Sequence, residues 1–279
     1  MKFLTAFLTF ALGAGLLIAP DTRAEDLLTA QTKAIFTNRQ DAVIWISAVA
    51  KISMQAEGSK EALNIPDREQ KSETLGTLID PSGLVVTALS TIDPTRDYSG
   101  REVRTREGTV KIEASAVLKE VRVIMPDGTE VPAEVVMRDA DLDLAFIRIK
   151  SGAREAKGVE FKSIDLKDAA SVNVADDVVT IGRMDEVLNR APSVARGQIT
   201  AMTKKPREFL RATSANLGCP TFAMDGRLVG IGVNRSVRGK NSYTVLIPAA
   251  DVQEIAEQAR ESRPVVEKPV QGGEKKAEP

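Results

Sequence analysis

The stretch TLGTLIDPSGLVVT, residues 74–87, reads as strand, turn, strand. Residues 74–80 and 83–87 are rich in apolar and β-branched side chains. Asp80-Pro81-Ser82-Gly83 between them is a turn signature, with Pro presetting φ at one central position and Gly closing the turn. The pattern recurs outward along the chain. Residues 42–52 (AVIWISAVAKI) form a strand upstream. Residues 120–125 and 129–137 flank Pro126-Asp127-Gly128, and residues 144–149 add another strand. Further candidates are residues 177–182, 195–201 and 208–213, then 221–224 and 227–233 around Asp225-Gly226, and finally 242–248. Short strands in two clusters predict an all-β fold of two antiparallel barrels. The stretch at 151–157 is the linker between them. Residues 27–38 read as a short helix or an extended arm, and 248–261 shows helical apolar spacing. Residues 55–72 and 94–114 are polar and read as long loops, candidates for partner binding or for disorder.

The first 24 residues have the form of a secretory signal: Lys2, an apolar run over residues 3–19, and a small-residue end at Ala24. The organisation expected is therefore a signal peptide at 1–24, an N-terminal arm at 25–41, one barrel at 42–150, a second barrel with its helix at 151–261, and a disordered tail at 262–279. The signal implies a periplasmic or secreted protein with no membrane span after cleavage. An uncleaved anchor is the alternative.

Composition removes several chemistries. The 279 residues include no histidine and one cysteine, Cys219. The commonest general base and zinc ligand is thus missing, and no intrachain disulfide can form. The 38 Lys and Arg balance 39 Asp and Glu, which gives no electrostatic case for nucleic acid. No cofactor or metal site is expected. Asp139, Asp141 and Asp143 alternate, but the glycine and distal glutamate of a calcium loop are absent, so they read as a turn entering a strand.

The 75–87 string, LGTLIDPSGLVVT, resembles the opening of the protease domain of the HtrA (Deg) family, which are exported, trypsin-like serine proteases. The likeness continues in order through Pro126-Asp127-Gly128, residues 139–149, 177–182, 197–201, 216–220, 225–231 and 245–248. It covers residues 43–259 and implies a trypsin-like double β-barrel with short terminal helices. The PDZ domain that usually follows in the family is not expected here.

Residue by residue, the resemblance places the catalytic histidine at Ser90, the aspartate at Asp143 and the nucleophilic serine at Leu217. The oxyanion-hole region falls on Ala215, Asn216 and Leu217, with Ala215 and Cys219 at glycine positions of the family pattern. In such a triad the serine hydroxyl attacks while histidine takes its proton, and the aspartate orients the imidazole. With two of the three absent, the resemblance implies a catalytically inactive homologue. Leu217 is expected to fill vacated space as an apolar plug. The implied partners are peptides or unfolded protein segments, or an active envelope protease that the chain regulates. An oligomer is left open, as is a purely structural subunit assembling through strand edges. The alternative function is an active endopeptidase with another nucleophile. Cys219, which reads more simply as a buried structural thiol, and a Ser-Lys pair of Ser214 or Ser90 with Lys204 or Lys205 are its candidates.

Overall fold

The computed structural model describes residues 22–57, 67–105, 108–150, 152–237 and 240–265. The proposed signal lies outside them except for its last residues, which open helix α1 (Thr22–Arg39). Thirteen strands follow among the described residues. In the N-terminal half β1 (Val43–Ala56), β2 (Arg68–Asp80), β3 (Leu84–Ala88), β5 (Gly108–Ile124), β6 (Glu130–Asp139) and β7 (Leu144–Ile149) run in the order β1-β2-β3-β7-β6-β5. Pairing of β5 with β1 closes them into a barrel. Strand β4 (Glu102–Thr105) adds to β5 outside it. The C-terminal half closes a second barrel in the order β10-β13-β12-β11-β8-β9. Its strands are β8 (Asp177–Arg183), β9 (Pro192–Thr203), β10 (Phe209–Ala212), β11 (Pro220–Ala223), β12 (Leu228–Val237) and β13 (Lys240–Pro248). Helix α4 (Ala249–Glu261) ends the fold, so the all-β double barrel read from the sequence is the architecture.

The opening stretch forms the hairpin it predicts. Thr77 pairs with Val86 and Asp80 with Leu84. The Ser82 N–H donates to Asp80 Oδ1 (2.9 Å), and Gly83 takes φ +89°, a region a residue without Cβ enters freely. Two stretches differ from expectation. Residues 55–57 and 67–72, expected within a loop, belong largely to β1 and β2, while 58–66 lie outside the described residues. Residues 94–114 carry a short helix α3 (Thr95–Tyr98), β4 and the start of β5. Here β1 and β5 continue past the barrel as a paired ribbon, from Lys51 opposite Val117 to Ala56 opposite Ile112. Water reaches both faces of much of that ribbon, so its side chains need not alternate apolar and polar, and the strand signal is lost. The tail is also anchored further than expected, since the Val265 N–H donates to Val135 O (2.8 Å). Residues 266–279 lie outside the described part.

Each barrel has its own apolar interior: Ile44, Ile46, Val123 and Ile147 in the first, Val178, Ile199, Leu210 and Leu246 in the second. A third cluster crosses between them, joining Leu75, Val86, Leu144 and Phe146 to Ile181, Cys219, Phe222, Ile231 and Ile247. Burial of apolar area on that scale fixes the relative placement of the barrels. Polar clamps reinforce it. The half-buried Arg183 guanidinium on β8 donates to the carbonyls of Val43, Gln40 and Arg190. Arg148 on β7 donates to the C-terminal carbonyls of α4 at Ala259 and Arg260 (2.8 Å each) and to Ser262 O (3.0 Å), satisfying groups that a helix end leaves open.

Candidate active site

The resemblance-derived site residues lie on three segments that meet between the barrels. Asp143 ends the turn between β6 and β7. It is 1% exposed and takes φ +59°, a conformation Asp tolerates better than most residues. Its main-chain carbonyl accepts the Leu89 N–H (2.8 Å). Its carboxylate accepts three donors: Ser90 N–H at Oδ1 (2.8 Å), and Ser90 Oγ–H (2.9 Å) and Asn234 N–H (2.7 Å) at Oδ2. The structure thus brings Ser90 and Asp143 together through side chain and main chain. Ser90 sits in α2 (Leu89–Ile92), directly after β3. A serine hydroxyl here is a hydrogen-bond donor to the carboxylate, with no ring nitrogen to accept a proton at neutral pH.

The segment from Ala215 to Pro220 is the second wall. Gly218 adopts φ +70°, and a Cβ there would lie 2.0 Å from Leu75 O and 2.9 Å from Thr87 Oγ1, so only glycine fits this approach to the first barrel. Thr77 Oγ1 donates to Gly218 O (2.8 Å), and Thr87 Oγ1 to Leu75 O (2.7 Å). On the other side Gly218 N–H donates to Gly232 O (2.8 Å) and Gly232 N–H to Cys219 O (3.0 Å). The turn is therefore tied to β2, β3 and β12 together. Within it, the two N–H groups at the places of an oxyanion hole have internal acceptors. Leu217 N–H donates to Asn216 Oδ1 (2.9 Å), and Ala215 N–H makes a long bond to Ala212 O (3.4 Å). A hole works by holding such donors free and aimed at a developing negative charge. Leu217 itself is partly exposed and joins none of the three core clusters, so the packing lends no support to its role as a buried plug.

The other candidates are placed as follows. Cys219 is fully buried in the cluster between the barrels, and burial pushes its thiol up to about 12. Such a thiol is inert as a nucleophile, since the thiolate is the reactive form. Ser214 shares a hydroxyl chain, Ser214 Oγ to Thr180 Oγ1 (3.0 Å) and on to Thr221 Oγ1 (2.8 Å). Lys204 and Lys205 are exposed near the end of β9. Neither makes a hydrogen bond to Ser90 or Ser214 among the described residues. Asp139 Oδ1 caps its own turn, accepting the N–H groups of Asp141 (3.0 Å) and Leu142 (2.9 Å). Among the described residues no group of three or more His, Cys, Asp or Glu side chains converges as a metal site. No helix there is long and apolar enough to cross a membrane.

Three contributors were missed by the sequence reading. Asn234 acts through its main chain, which leaves no trace in residue type. Thr77 and Thr87 did leave one: each is a hydroxyl in a mostly apolar, fully buried run of strand, and a buried polar side chain needs a partner.

With this geometry in view, comparison with known proteins is direct. Residues 74–231 match the family model of the trypsin-like peptidase domain. A probable periplasmic serine endoprotease, DegP-like, from Bartonella henselae is 26% identical over 152 residues, covering 49% of this chain and 27% of that protein. Its counterpart from Rhizobium meliloti is 27% identical over 146 residues, covering 48% and 27%. The matched part thus spans about a quarter of these relatives' length. Among solved structures, the HtrA-type protease AlgW with decapeptide superimposes with a TM-score of 0.52 at 16% identity, over 82% of this chain and 67% of that one, which bears on the fold alone. The family match takes in over half of the chain, and the chain belongs to the trypsin-like peptidase family.

Proposed function

We propose that this domain is an exported protease homologue of the cell envelope that holds extended peptide segments without cleaving them. The observation that carries this reading is a hydroxyl, Ser90, bonded to Asp143 where a triad would hold an imidazole, beside an open strand edge. Leu217 supplies no nucleophilic atom, and the N–H groups beside it have internal acceptors. Loss of serine or histidine alone from a working triad costs on the order of a millionfold in turnover.

The strand edge is a separate feature and needs no triad. Gly232 directs both main-chain groups away from β13, to the 218–219 turn, and Asn234 directs its N–H the same way, to Asp143. Ser236, two residues on, continues that alternation. It is still in register opposite Ser242, just before a shift at Val237, so its N–H faces a side where β12 has no strand partner among the described residues. An extended peptide can add there through main-chain hydrogen bonds. The DegP-like relatives are described as periplasmic and AlgW was solved with a decapeptide, which supports both the location and the ligand class. An active endopeptidase would need another nucleophile, and neither the buried Cys219 nor Ser214, with its hydroxyl bonded to Thr180, is prepared as one.

The test is fluorescence anisotropy of labelled, unfolded casein titrated with the protein. Saturable binding is expected. Ser236→Pro, which removes the outward N–H and leaves the β13 side intact, is expected to weaken it about tenfold, as for loss of one well-formed hydrogen bond. Absence of binding, or binding indifferent to Ser236→Pro, contradicts peptide capture at this edge.

A further inference from the structure

A cavity of about 600 Å³ opens at the seam of β9, β10 and β13, lined by Thr200, Arg211, Thr213, Ala215, Tyr243 and Thr244 among others. Its position relative to the strand edge follows from the register. Ser242, Tyr243 and Thr244 on β13 are the direct partners of Ser236, Arg235 and Asn234 on β12. Ala215 and Thr213 belong to the segment that leads into Leu217. The cavity therefore lies one strand away from the open edge and beside the 215–218 turn. Side chains of an added strand alternate between its faces, so a peptide on β12 directs one of its groups toward this opening.

The chemistry of the lining is one-sided. It holds several hydroxyls, two alanine methyls, a tyrosine ring and one cation, with no carboxylate. The Arg211 guanidinium lies over the Tyr243 ring, 4.8 Å from its centroid, within cation–π distance. Among the described residues it makes no salt bridge, whereas Arg122, Arg190, Arg227 and Arg260 each have a carboxylate partner. A guanidinium held by a ring and flanked by hydroxyls matches a carboxylate in both charge and planar geometry.

We propose that Arg211 selects peptides bearing a carboxylate over this cavity, either an acidic side chain or a free C-terminus. The inference rests on peptide capture at β12 and adds its substrate class. Bound in this way, the carboxylate shares the guanidinium's N–H donors and is ringed by the hydroxyls of Thr213 and Thr244, while the β12 edge holds the main chain.

The test uses the full chain and four fluorescein-labelled decapeptides with one Ala/Val/Ser framework. They carry Glu or Gln at a central position, each with a free or an amidated C-terminus. The acid-bearing peptides are expected to bind at least about tenfold tighter than the Gln peptide with an amidated end, as for one charge-assisted bidentate contact. The Gln/Glu pair and the acid/amide pair separately show which carboxylate is read. Arg211→Gln is expected to abolish the preference while leaving the neutral peptide's affinity unchanged, and Arg211→Lys to retain part of it. Arg211 is exposed, so these variants should fold, and circular dichroism checks that they do. Equal binding of all four peptides, or a preference that survives Arg211→Gln, overturns this assignment while peptide capture stands. Binding of none of them overturns both.

Discussion

Replacing Gly218 by alanine tests the seating of the site-bearing turn against the first barrel. Two costs add. At φ +70° an L side chain is strained by roughly 1–2 kcal/mol. The new Cβ would also meet Leu75 O at 2.0 Å, and that atom is main chain, so the turn or β2 must shift. Either shift breaks or stretches the bonds from Thr77 to Gly218 O and from Thr87 to Leu75 O, each worth about 0.5–1.5 kcal/mol. The sum is a loss of roughly 2–5 kcal/mol, or a fall in Tm of at least about 4 °C for a chain of this size. Gly128 is the control. It takes φ +85°, and a Cβ added there would have nothing within 4 Å, so Gly128→Ala should cost only about 1 kcal/mol of strain. Urea unfolding and thermal scans of both variants read the difference. If Gly218→Ala is no more destabilising than Gly128→Ala, the turn is not packed on β2, and the geometry of the candidate site is wrong.

Further outcomes follow from the same contacts. Asp143→Asn presents an amide N–H₂ to groups that are themselves donors, and should cost about 2–4 kcal/mol, against about 1 kcal/mol for Ser90→Ala, measured by urea unfolding. Arg148→Met removes three donors from the end of α4; stability should fall by about 2–3 kcal/mol, with hydrogen exchange accelerating in the last turn of the helix. Cys219 should resist iodoacetamide at pH 8 in the folded protein and react on unfolding. Its thiol keeps its proton in the fold up to about 12 while the unfolded chain loses it near 9.0. The unfolded state therefore binds fewer protons in that window, and stability falls as pH rises through it. Cys219→Ala should flatten that slope.

The legible parts of the fold were those where burial acts on one face or on a whole strand. Residues 144–149 and 177–182 are nearly all buried, and the turn chemistry at 80–83, 126–128 and 225–226 set their neighbours in place. The β1–β5 ribbon was illegible because solvation of both faces leaves nothing for periodicity to report. At the site, the pairing of Ser90 with Asp143 was readable only through the resemblance, since 53 residues separate them and no local rule links them. The internal bond from Leu217 N–H to Asn216 was hidden for a different reason: it depends on a side-chain torsion that residue type leaves free. The open edge of β12 emerges only once both barrels are closed and its neighbours on each side are known.

The central proposal is that no described residue completes the chemistry of a triad around Asp143. Incubation of the protein with unfolded casein, with fragments followed by mass spectrometry, tests it most directly, alongside Leu217→Ala and the double replacement of Ser90→His with Leu217→Ser. The account predicts no fragments from the natural chain or from Leu217→Ala, and any cleavage gained only in the double variant. Cleavage by the natural chain that persists in Leu217→Ala and tracks the protein through repeated purification would contradict it.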